Sequence, residues 1–123
     1  MKIEELSIGD WVMYRNREWQ VCSLYQFTGE VGLWRKDSQI CENVADLTPV
    51  PLTPEILEKN GFSHNGRKWY TPELFTLERW GDVWSIVIAC SCGEYVCEVC
   101  TIKYVHQLQH ALRLTGIEKE IEV

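Results

Sequence analysis

Alternation of apolar and polar positions dominates the first half of the chain. Trp11-Val-Met-Tyr14, Glu18 to Tyr25, Val31-Gly-Leu-Trp34 and Gln39 to Val44 each have the length and period-two pattern of a strand. Turn residues separate them: Ile8-Gly9-Asp10 before the first, Asn16-Arg17 after it, Gly29-Glu30 before the third and Arg35-Lys-Asp-Ser38 before the fourth. In the second strand strict alternation puts Trp19, Val21 and Ser23 on one face and Gln20, Cys22 and Leu24 on the other. Short strands closed by a proline segment predict a small SH3-like β-barrel lobe over residues 1–50, because closure hides edges that a meander leaves open.

The pattern changes at Pro49 and Pro51, which fix φ and remove backbone donors, so the chain there is extended and outside the interior of a sheet. Helix signals follow over residues 54–60: Thr53 to cap, Pro54 at the first helical position, Glu55 at the positive end of the dipole and Asn60-Gly61 as a left-handed exit. Two turns do not persist alone, so Ile56, Leu57 and Phe62 must dock. Strands are expected over about 62–101. Asn65-Gly66 predicts a type I′ hairpin and Gly93-Glu94 turns the last one; between them Thr71-Pro-Glu-Leu74 either caps a helical turn or starts an edge strand, the strand being preferred because Phe75, Leu77 and Arg79 alternate with Thr76, Glu78 and Trp80. Thr101 then caps a helix over about 102–115 whose apolar stripe is Tyr104, Val105, Leu108, Ala111 and Leu112, with Lys103, His106, Gln107, His110 and Arg113 away from it. The fold class is therefore α+β. An SH3-like β lobe is followed by an α+β lobe over 51–123, in which a short helix precedes an antiparallel sheet and a C-terminal helix packed on it, the two forming one unit.

Composition narrows the function. A chain of 123 residues with 46% hydrophobic content can bury a core, and its net charge of −6 opposes non-specific attachment to nucleic acid or anionic membranes. The charged Met1-Lys-Ile-Glu-Glu5 lacks the apolar core of a signal peptide, and the run from Val83 to Cys92 is too short to span a bilayer. A cytoplasmic location follows, with the six cysteines as reduced thiols.

Three stretches carry a resemblance. Lys2-Ile-Glu-Glu-Leu-Ser-Ile-Gly-Asp-Trp-Val12, Pro51-Leu-Thr-Pro-Glu-Ile-Leu-Glu-Lys-Asn-Gly-Phe62 and Ile102-Lys-Tyr-Val-His-Gln-Leu-Gln-His-Ala-Leu-Arg-Leu114 resemble a group of short, uncharacterised proteins of gut anaerobic bacteria and their prophages. The resemblance implies a phage or mobile-element setting and a constant frame around divergent strands. It brings no activity, cofactor or catalytic residue.

Candidate chemistry is sparse. Cys90, Cys92, Cys97 and Cys100 are four thiols within eleven residues, but only four residues separate Cys92 from Cys97, where two zinc knuckles normally stand far apart. With the turn at Gly93-Glu94, Cys90 faces Cys97 and Cys100 falls on the opposite side, so small apolar fillers are the preferred reading and no metal or other cofactor is expected. Cys97-Glu-Val-Cys100 has dithiol spacing without the helix N-terminus that would lower a thiol pKa. His106 and His110 share a helix face with no intervening metalloprotease glutamate, which makes them, with Lys103 and Arg113, a polar strip that faces solvent or a partner. No nucleophile elbow or phosphate loop appears, and Glu55, Glu58, Glu73 and Glu78 read as solvated surface, so no enzyme is expected.

Six tryptophans exceed what the core needs, so one or two should be exposed. Trp34, Arg35 and Lys36 join an aromatic to two cations. The sequence thus points to a non-enzymatic protein-interaction protein, an adaptor or accessory with a host or phage protein as partner, using Trp34, Arg35 and Lys36 or the strip of His106, His110 and Arg113. The alternative is a nucleic-acid-binding SH3-like barrel with Trp34, Arg35 and Lys36 as its platform, which the acidic charge disfavours. A zinc module ranks behind both.

Overall fold

Two five-stranded antiparallel sheets and a C-terminal helix make an α+β fold. The computed structural model describes residues 1–73, 75–89 and 96–123, with side chains for all of these except 88, 89 and 96–100. The chain divides into two units. The first comprises Met1–Pro51, Tyr104–Gln109 and Val123; the second comprises Leu52–Lys103 and His110–Glu122.

In the first unit β1 (Trp11–Tyr14), β2 (Arg17–Tyr25), β3 (Glu30–Arg35), β4 (Ser38–Asn43) and β5 (Thr48–Pro49) lie in the order β4-β3-β2-β1-β5. Leu6, Val12, Val21, Val31, Leu33 and Leu47 form its buried core. The β1–β2 turn is Arg15-Asn16, one residue earlier than expected, because Tyr14 pairs with Arg17. Both turn residues have positive φ, as a type I′ turn requires.

Strict alternation fails in β2. Val21 faces Leu33 but Ser23 faces Gly32, so Cys22 is an extra residue and the register shifts. That bulge lets Trp19, Val21 and Leu24 all reach the same core, although alternation put Leu24 on the other face. Gly32 makes room for it: a Cβ there would collide with Ser23 Oγ and lie 3.2 Å from Cys22 Sγ.

Among the described residues the first sheet does not close into a barrel, since β4 and β5 are its two ends. The reason lies in β5, two residues long with a proline that cannot donate to a ladder; its partner is β1, where Val12 faces Pro49.

In the second unit α1 (Pro54–Lys59) starts as its sequence requires, with Thr53 Oγ1 accepting the Ile56 N–H at 3.3 Å and proline in the first turn. It ends in a Schellman arrangement. Gly61, at φ 81°, donates to Glu58 O at 3.1 Å, and Phe62 donates to Leu57 O at 3.0 Å. A meander follows through β6 (Ser63–Asn65), β7 (Lys68–Tyr70), β8 (Thr76–Trp80), β9 (Val83–Ala89) and β10 (Val96–Ile102), each strand beside the next. Leu57, Phe62, Trp69, Leu77 and Trp84 are buried here, and the Trp84 indole donates to Leu52 O at 3.3 Å.

Three expectations change in the chain after α1. Thr71 does not begin a strand: its N–H donates to Phe75 O at 3.0 Å and its hydroxyl accepts the Phe75 N–H at 3.2 Å, which makes a closed turn before β8. The last hairpin pairs Cys97 with Ile88, not with Cys90, so its register differs from that of a hairpin turning at Gly93-Glu94. Gly93-Glu94 itself lies outside the described residues. Finally, β10 continues through Ile102, and α2 spans Val105–Leu114 instead of starting at 102. Gln107 Oε1 accepts the Tyr104 N–H at 3.1 Å, which satisfies a backbone donor just ahead of the first turn. The helix ends like α1, with Gly116 at φ 77° and Ile117 donating to Leu112 O at 3.0 Å.

Candidate functional site

Two tight turns of the second unit define the most built surface. Asn65 pairs with Lys68 and Trp80 with Val83, so the turns are Gly66-Arg67 and Gly81-Asp82, each with a positive-φ glycine first. The first differs from the expected Asn65-Gly66 turn by one residue, and the shift lifts Arg67 out of the strand to the turn. In a meander the β6–β7 and β8–β9 turns fall at the same end of the sheet, and Arg79 N–H donates to Arg67 O at 2.9 Å across them.

Side chains then converge. The Arg67 guanidinium lies 4.9 Å from the Trp80 ring centroid, and that of Arg79 lies 5.4 Å from the buried Trp84. Arg79 Nε also donates to Gly81 O at 3.2 Å, which orients the fork. His64 stacks on Trp69 with centroids 4.4 Å apart and planes 23° apart, and Trp69 meets Trp84 edge-on at 6.1 Å. With Pro54 and Glu58 from α1, the side chains of His64, Arg67, Trp69, Arg79 and Trp80 line an open groove of about 600 Å³. Two guanidiniums and an imidazole thus face one carboxylate in a chain whose net charge is −6.

The first unit carries a second concave surface, about 650 Å³, around the β2–β3 turn. Phe27 there is fully exposed, Tyr25 keeps 52% of its surface exposed, and Leu24, Glu30 and Cys41 are among the other lining residues. The Cys41 thiol donates to Glu30 Oε2 at 3.2 Å. That hydrogen bond, followed by burial and the charges of Glu30 and Glu42, raises the thiol pKa above its ordinary value.

Trp34 is exposed at 43% and Trp80 at 48%, which matches the expectation that one or two tryptophans face solvent; Trp69 and Trp84 are buried. Trp34 and Arg35 are consecutive in β3, paired with Gln39 and Ser38 respectively, so they point to opposite faces of the sheet. Lys36 follows in the turn at φ 52°. Adjacency in sequence therefore does not build the expected platform. Of the helix strip, Arg113 is exposed and His110 half-buried, but His106 is only 4% exposed, its ring nearly parallel to that of Tyr104 at 6.0 Å. The expectation that His106 faces outward is corrected: Gln109 is buried too, so α2 is covered over a wider arc than its apolar stripe. Cys90 and Cys92 lie outside the described residues, and the side chains of Cys97 and Cys100 are not described.

Among the described residues no group of three or more His, Cys, Asp or Glu side chains is placed to hold a metal ion, and no helix is long and apolar enough to cross a membrane. No protein-family model, curated protein or solved structure matches the chain. The groove of Arg67, Arg79 and Trp80 was legible only as scattered residues; its one local signal was the pair of glycine turns.

Proposed function

We propose that this chain is a non-enzymatic interaction protein of phage or mobile-element origin, which docks a protein partner through the β2–β3 turn of its first unit. The single observation that carries the reading is Phe27, a large apolar ring left fully exposed at a turn beside Tyr25. The Glu30 carboxylate in the same concavity and the net charge of −6 favour a partner that presents an apolar side chain next to a basic one. The strand order β4-β3-β2-β1-β5, with a 3-10 turn at Val44–Asp46 ahead of β5, supports reading this unit as SH3-like. The resemblance of its opening, central and closing stretches to prophage proteins supports the setting, and a cytoplasmic location goes with it.

The test is site-specific photocrosslinking. Benzoylphenylalanine in place of Phe27, introduced in the native host, should give one dominant protein adduct, and Tyr25→Ser should abolish it. Adducts only to nucleic acid, or a protein adduct indifferent to Tyr25→Ser, would remove the reading.

A further inference from the structure

The cation and aromatic groups of the second unit form a surface that the protein-docking reading does not use. Arg67 and Arg79 come from a turn and a strand twelve residues apart, yet both guanidiniums rest on indole rings at one end of one sheet. A guanidinium on a ring is held in place while its outer N–H groups stay available, because the ring contacts only its flat face. The Arg67 guanidinium lies over Trp80, and that of Arg79 lies over Trp84 with its Nε on the Gly81 carbonyl. Arg79 and Trp80 leave β8 on opposite faces, and both line the groove at the end of the sheet, where Trp80 keeps 48% of its surface exposed and the stacked pair of His64 and Trp69 supplies a further flat group.

From this geometry we infer that the groove binds single-stranded nucleic acid, seating a base on Trp80 and its flanking phosphates on Arg67 and Arg79. Stacking accepts any base, and two forked guanidiniums match phosphate oxygens. The openness of the groove decides between a strand and a free nucleotide. A small-molecule site encloses most of its ligand, whereas a strand runs on past an open groove. Glu58 opposes the phosphates, so the site discriminates by stacking more than by charge. The net charge of −6 keeps duplex, which hides its bases, a poor ligand. The platform expected at Trp34, Arg35 and Lys36 thus has its counterpart in the other unit, where Arg67 of a turn meets Arg79 and Trp80 at the end of β8.

The probe is a fluorescein-labelled twelve-nucleotide oligothymidylate, read by anisotropy with the full chain. Trp80→Ala should weaken binding at least about fivefold, the lower end of base–aromatic stacking, while Trp80→Phe retains most of it. Arg67→Ala and Arg79→Ala should each weaken binding, and Glu58→Gln should strengthen it. With two phosphates engaged, log K should fall against log salt with a slope of about −1.4. Trp34→Ala and Lys36→Ala should change nothing. The inference is overturned if the oligonucleotide does not bind at low salt, if a mononucleotide binds as tightly as the strand, if polyglutamate competes equally, or if Trp34→Ala is the variant that loses binding. Unchanged circular dichroism spectra of the Trp80 and arginine variants separate lost binding from lost folding.

Discussion

The Gln109 amide closes on the backbone to either side of Asp10: Oε1 accepts the Trp11 N–H at 3.0 Å, and Nε2 donates to the Gly9 carbonyl at 2.9 Å. Gly9 O also accepts from Gln20 Nε2 at 3.1 Å, and Asp10 itself is buried with Oδ2 on the Ser7 N–H at 2.8 Å. The turn into β1 is therefore held by α2, about a hundred residues later in the chain, within one unit. Gln109→Leu leaves a backbone donor without its partner and removes one of two donors to Gly9 O. It should lower stability by about 1–3 kcal/mol, measured by urea denaturation. Gln109→Glu keeps an acceptor for Trp11 but cannot donate to Gly9, so it should also destabilise.

Gly32 and Ser23 are a second coupled pair. Gly32→Ala forces a Cβ into Ser23 Oγ at the bulge and should cost roughly 1–3 kcal/mol. Ser23→Gly, made in that background, should restore much of the loss. A double-mutant cycle measures the coupling; additive effects would mean that the bulge relaxes without reference to Ser23.

Asn60 ties the end of α1 to the C-terminal segment. Its Nδ2 donates to Ile56 O and Glu122 O, each at 2.7 Å, and its Oδ1 accepts the Glu122 N–H at 2.8 Å. Asn60→Ala should collapse hydrogen-exchange protection at the Glu122 amide, with a much smaller change at β8 amides. Thr53→Ala, at the opposite end of α1, should lower global stability by about 1 kcal/mol and leave the Glu122 amide protected.

Cys41 should be a slow nucleophile for an exposed thiol. A raised pKa means less thiolate at a given pH, so alkylation by iodoacetamide near pH 8 should lag behind that of a free thiol. Glu30→Gln removes the carboxylate charge and the anionic hydrogen-bond acceptor that hold the thiol protonated, so the pKa falls and the rate rises. Peptide mapping by mass spectrometry isolates Cys41 from the other cysteines.

How much was legible follows from how local each signal is. The four strands of the first half, the capped α1 and the α2 stripe of Val105, Leu108, Ala111 and Leu112 rest on periodicity and capping within a few residues, and all are present. Turns slipped by one residue at Arg15-Asn16 and Gly66-Arg67, since register depends on both strands of a hairpin and not on the turn dipeptide alone. Burial of His106 was not legible: polarity marks a residue as outward only until something covers it.

Local chemistry, then, set the elements: where proline removes a donor, where threonine can cap, where alternation makes a strand. Tertiary structure alone decided which distant groups meet. Gln109 reaches Gly9, Asn60 reaches Glu122, and Arg67 lies on Trp80 because strand register and helix docking place them there. Trp34 and Arg35, neighbours in the chain, are parted by the pleat of β3 for the same reason.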